Sequence, residues 1–146
     1  MSTRSTRMEP VRRVADQRAQ EAAKRLAERQ EALEQERERL EQLGAFRREY
    51  EQKLAFAGQN GIDAYRLRDY NAFLGRIDQA IAQQREQLHR IEAEAEKLRE
   101  HWLAEWGNAR ALEQLVERYR AHERRDAEAR EQRQNDELAR QRRGRT

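Results

Sequence analysis

Stepping along the chain from Met8 by alternating four and three residues meets an almost continuous apolar series. It runs through Met8, Ala15, Ala19, Ala22, Leu26, Leu33, Leu40, Leu43, Tyr50, Leu54 and Ala57, with Arg12, Arg29, Glu36 and Arg47 as its polar members. A second series starts at Leu67 and passes Tyr70, Leu74, Ile77, Ile81, Leu88, Ile91, Ala95, Leu98, Trp102, Ala109, Leu112, Val116 and Tyr119, with Gln84 and Glu105 as its exceptions. A mean spacing of 3.5 residues held this long is the a/d seam of a coiled coil, and a seam needs a partner helix. The chain supplies that partner itself. Between the two series lies AGQNGID, where Gly58, Asn60 and Gly61 favour a turn and Asp63 suits a helix N-cap. Pro10, the one proline, suits the start of a first helix.

The predicted fold is therefore all-α: a long antiparallel two-helix coiled coil, or helical hairpin, forming one domain over residues 1–146. Helix 1 is expected at about 9–57, the tip at about 58–66 and helix 2 at about 67–140, with a frayed basic end at 141–146. The second series fails after Tyr119, so the last part of helix 2 should overhang. At 1.5 Å of rise per residue the expected monomer is a rod about 100 Å long.

Composition narrows the alternatives. With 40% charged and 36% hydrophobic residues, the chain is too polar for one compact core. That leaves disorder or long helices with a narrow seam, and the periodicity selects the helices. There is no cysteine, hence no disulfide framework and no thiolate metal site. No run reaches the roughly 18 apolar residues that cross a bilayer. The Arg- and Ser/Thr-rich start lacks the apolar stretch of a secretory signal, and Glu9 and Asp16 interrupt a transit-peptide pattern, so a cytoplasmic location is expected.

The net charge of +3 is concentrated at the ends: Arg4, Arg7, Arg12 and Arg13 near the start, Arg140, Arg142, Arg143 and Arg145 at the close. Such ends could contact phosphates. No basic region precedes a zipper, however, and the aromatics lie away from the basic ends, so nucleic acid is not the expected partner. The chain lacks a phosphate-binding GxxxxGK[ST] loop, and its only serines are Ser2 and Ser5. His101 with Glu105, and His122 with Asp126, have the i,i+4 spacing of a helix-borne metal pair but read more simply as solvated side chains. The expectation is no enzyme, no metal, no cofactor and no small-molecule ligand.

The aromatics are unevenly spread. Phe46, Tyr50, Phe56, Tyr65, Tyr70 and Phe73 crowd the end near the turn, whereas Ala15, Ala19 and Ala22 make the opposite end of the seam thin. Tyr50, Phe56, Tyr65 and Tyr70 are expected to anchor the tip, where a short helix from about Asp63 could fold back. Phe73 lies off the series and forms a stripe with Ile77, Ala80 and Gln84 at spacings of 4, 3 and 4. It should be at least partly exposed, either as a docking surface or packed beneath a folded-back tip through Tyr65.

The segments LGAFRREYEQKL, YRLRDYNAFLGRIDQAIAQQREQL, LREHWLAEW, LEQLVERY and RQNDELARQR resemble the FliJ family of flagellar export proteins over roughly residues 8–141. The spacing of Tyr70, Phe73, Ala80–Ile81, Leu88 and Trp102 carries the resemblance more than helical composition does. Gly75, Gly107 and the long Arg-rich ends depart from it mildly and put the straightness of helix 2 in question.

The resemblance implies a fold similar to the central stalk of rotary ATPases. It also implies a cytoplasmic component of the flagellar type III export apparatus, peripheral at the inner membrane. Its implied partners are the hexameric export ATPase, the export-gate membrane protein and export chaperones, which it escorts. The end carrying the termini would enter the ATPase ring, and Arg12, Arg13, Arg118 and Arg120 are placed to meet an acidic pore there. The Phe73, Ile77, Ala80 and Gln84 stripe would meet the gate. A generic coiled-coil scaffold, with nucleic acid at its basic ends, and the equivalent stalk of a virulence-type secretion system stand as alternatives.

Overall fold

The computed structural model describes residues 2–145 and is all-helical, with two helices: α1 (Arg4–Gln59) and α2 (Ala64–Gly144). They pack against each other as an antiparallel hairpin, the turn lying between Gln59 and Ala64. The chain falls into two compact units, one formed by Met1–Ala22 with His101–Thr146 and the other by Ala23–Glu100.

Within the first unit, Ala15, Ala19 and Ala109 form a buried cluster with Leu112 against it, and Val116 is the most enclosed side chain at 1% exposure. Small side chains here let two backbones approach closely but bury little area each. Hydrophobic burial at about 25 cal/mol per Å² is correspondingly modest. Polar contacts extend the pairing by one further layer: the Ser5 hydroxyl donates to Glu123 Oε2 at 2.6 Å, and the Ser5 backbone N–H donates to Oε1 at 3.1 Å. Beyond it, residues 124–144 of α2 are exposed.

Within the second unit, Leu26, Ile77, Ile81, Ile91 and Ala95 are the buried side chains. The polar members of the apolar series also find partners across this pair of helices. Gln84 donates its amide to the Glu36 carbonyl at 3.0 Å and to its carboxylate. Arg29 pairs with Glu94, and Arg47 Nε donates to Asp78 Oδ1 at 2.5 Å. These contacts pin the antiparallel register where apolar side chains alone would tolerate a slip.

Both helices begin earlier than expected, and the caps explain it. α1 starts at Arg4 because Thr3 caps it: its Oγ1 accepts the Thr6 N–H at 3.2 Å and its carbonyl accepts the Arg7 N–H at 3.1 Å. Pro10 thus lies inside the helix, where it removes the hydrogen bond to the Thr6 carbonyl; Thr6 is exposed, so water can replace it. α2 starts at Ala64 because Asp63 accepts the Arg66 N–H on Oδ1 at 2.8 Å. The turn needs Gly61, whose φ of +82° lies in the left-handed region. No separate tip helix folds back: α2 is continuous from its cap. At the other end α2 remains helical to Gly144, and Thr146 of the expected frayed end lies outside the described residues.

Candidate partner-binding surfaces

Two clusters of the anticipated site residues stand in separate units. In the first unit, Arg12 and Arg120 converge on one carboxylate. Arg12 donates from Nε to Glu9 at 3.0 and 3.1 Å and from Nη2 at 2.6 Å, while Arg120 Nη2 reaches Glu9 Oε2 from the other helix at 3.1 Å. The Arg12 hydrogen bond is the main reason the Glu9 carboxyl is held below its usual range, with Arg120 and Arg13 adding to it. Arg13 and Arg120 line one groove with Ser5, Thr6, Glu9 and Pro10. Arg118 is exposed and joins neither this cluster nor an ion pair among the described residues. The structure therefore brings three of the four arginines together and leaves Arg118 apart.

A neighbouring carboxyl has its own cause. The two Ser5 donors, side chain first and backbone second, hold Glu123 below the usual range. Arg4 stands over the Tyr119 ring, 5.8 Å from its centroid, at the same end.

In the second unit, the Phe73 stripe is divided between core and surface. Ile77 is buried at 5% exposure and belongs to the seam. Gln84 is partly buried and committed to Glu36, and Ala80 is partly buried. Phe73 is partly buried too, its ring 4.4 Å from that of Tyr50 and 6.1 Å, edge-on, from that of Phe46. Phe46, which the periodicity passes over, keeps 46% of its surface exposed and so extends the accessible side of the stripe. A signal existed for it: Phe46 and Tyr50 are spaced i,i+4 on one face of α1.

The expected tip anchors divide in the same way. Tyr50 and Tyr70 pack at 5.3 Å. Phe56 and Tyr65 do not anchor the tip, being 68% and 77% exposed. Phe73 therefore packs on α1 rings and not beneath a folded-back segment through Tyr65. The uninterrupted start of α2 turns Tyr65 outward.

The histidine pairs are simple surface contacts, His101 Nε2 lying 4.0 Å from Glu105 and His122 Nε2 3.3 Å from Asp126. Among the described residues no group of three or more His, Asp or Glu side chains could hold a metal ion. No helix of the described residues is long and apolar enough to cross a membrane.

No curated protein and no solved structure matches the chain. The family model of the flagellar FliJ protein, by contrast, matches residues 4–146, nearly the whole sequence. The two-helix hairpin and this match together place the chain in the FliJ family, components of the flagellar protein export apparatus.

Proposed function

We propose that this chain is a cytoplasmic, non-enzymatic adaptor that binds and activates the hexameric flagellar export ATPase, contacts the export gate and escorts export chaperones. Family membership supports the setting, and the arginine cluster around Glu9 supports the mode of ATPase binding. At that end the seam is thin (Ala15, Ala19, Ala109), and Arg12, Arg13 and Arg120 present positive charge around it. A slender basic end suits an acidic-lined ring pore, because complementary charge orients and speeds docking.

The gate contact is assigned to the part of the Phe73 stripe that the hairpin leaves uncovered, the outer edge of Phe73 with Ala80 and Phe46 beside it. Aromatic side chains on an otherwise charged surface are the usual binding hot spots. Immobilised chain incubated with purified export ATPase tests the reading. Retention of the ATPase is expected, and it should weaken with Arg13→Glu and Arg118→Glu together. Those two serve better than Arg12 or Arg120, which also hold Glu9. No retention at moderate salt would refute the assignment.

A further inference from the structure

The hairpin turn carries a further groove, which shares with the surfaces above only the Tyr70 ring that packs on Tyr50. It has a volume of about 600 Å³ and is lined by Glu49, Gln52, Lys53, Phe56, Ala57, Asn60, Gly61, Arg66 and Tyr70. Phe56 stands largely bare on its wall, and Tyr65 and Leu67 are also exposed on the first turns of α2. So much exposed apolar surface beside a concavity marks a docking site on a chain this polar.

The charges around the groove identify the kind of occupant. Most acids near the turn are already engaged: Glu49 with Lys53, Glu51 and Asp78 with Arg47, and Asp63 as the cap of α2. Among the described residues, Arg48, Arg66 and Arg68 have no such side-chain partner, and near the turn neither has Asp69. The uncommitted charge is therefore positive. Gln52 and Asn60 add amide donors on the groove wall. A guanidinium needs a carboxylate to bind in its forked geometry, and the Phe56 and Tyr70 rings need an apolar side chain.

We propose that this groove receives an acidic, amphipathic segment of a partner protein, seating an apolar anchor against Phe56 and Tyr70 and a carboxylate on Arg66. The site is distinct from the Phe73 stripe and from the Glu9 cluster, so it stands whether or not those surfaces bind what is assigned to them. Glu49 and the Gln52 and Asn60 amides on the groove wall suit a peptide, which can meet them with its own polar groups, better than an anionic bilayer, which an exposed carboxylate repels.

The test uses the full chain and three fluorescently labelled synthetic helices: one with two Leu anchors flanked by Glu, one with the same anchors flanked by Lys, and one with Ala replacing the Leu. Anisotropy titrations are expected to show saturable binding of the Glu/Leu helix, at least tenfold tighter than either control and weakening as salt rises. Phe56→Ser and Arg66→Glu should each weaken it at least tenfold with helicity unchanged, because both side chains project from the surface. Phe73→Leu should leave it intact.

Equal binding of the Lys helix, no binding of the Glu helix, or indifference to both substitutions would overturn the proposal. So would Phe56-dependent co-sedimentation with phosphatidylserine vesicles in the absence of peptide binding, which would make the surface a lipid contact. Phe56-dependent self-association in sedimentation equilibrium would overturn it in favour of a second copy of the chain.

Discussion

Phe73→Ala separates packing from docking at one residue. The ring is partly buried and contacts Tyr50 at 4.4 Å and Phe46 at 6.1 Å. Truncating a fully buried Phe costs about 3–5 kcal/mol, and an aromatic pair contributes about 0.5–1.5 kcal/mol of such a loss. A ring on the side of an open two-helix seam leaves little enclosed cavity behind, so the expected cost is about 2 kcal/mol. A purely surface residue would change stability by less than about 0.5 kcal/mol.

Urea unfolding followed by circular dichroism at 222 nm measures the difference, with Tyr65→Ala as the exposed control. A lower midpoint at unchanged slope is expected for Phe73→Ala and none for the control. A loss below about 0.5 kcal/mol would show that the ring contacts contribute nothing. A loss in the full 3–5 kcal/mol range would make Phe73 core and withdraw it from the gate surface. With about 2 kcal/mol involved, gate binding by this variant has to be compared under conditions where it is fully folded. Phe73→Leu, which retains most of the apolar area, should bind more weakly than the native chain yet fold nearly as well.

Other expected outcomes follow from single positions. Gly75→Ala and Gly107→Ala should each stabilise by up to about 1 kcal/mol, because a Cβ at either position meets nothing within 4 Å; urea midpoints check this. Val116→Ala should cost about 2 kcal/mol, from two buried methyl-sized groups at about 0.8 each plus a small cavity, whereas Leu138→Ala in the exposed end should be neutral by the same assay. The carboxyls of Glu9, Glu123 and Asp78 sit below their usual range through bonds to Arg12, Ser5 and Arg47 respectively. Their contribution is present above the ordinary carboxylate range, near pH 4, and is lost as pH falls through the lowered values. Melting temperature should therefore drop on acidification below that range, and Glu123→Gln should reduce the drop.

Most of the fold was legible because the seam obeys one spacing. Each member of the first series is at least partly buried, and in the second only Leu67 lies exposed. What the spacing could not reveal is how its polar members are used. Glu36 and Gln84 look like defects one helix at a time, yet they meet across the pair, as do Arg29 with Glu94 and Arg47 with Asp78. Ser5 and Glu123 occupy the next steps of the two series but were invisible to a search for apolar residues. The start of α1 was misplaced because its cap is one local side chain, Thr3, whereas the spacing reports only where burial begins. Asp63 was read as a cap and does cap α2, which starts three residues ahead of the first member of the second series. The stripe residues Phe73, Ile77, Ala80 and Gln84 were found by spacing, but their division between core and surface depends on Phe46 and Tyr50 of the other helix, which no single-helix pattern contains.

The adaptor role is tested most directly by titrating the purified chain into the purified export ATPase while following ATP hydrolysis. Hydrolysis should rise and saturate with added chain. The Arg13→Glu, Arg118→Glu double variant should need a markedly higher concentration for the same effect while keeping native helicity. Hydrolysis that stays flat across the titration, or that rises identically with the double variant, would contradict the account.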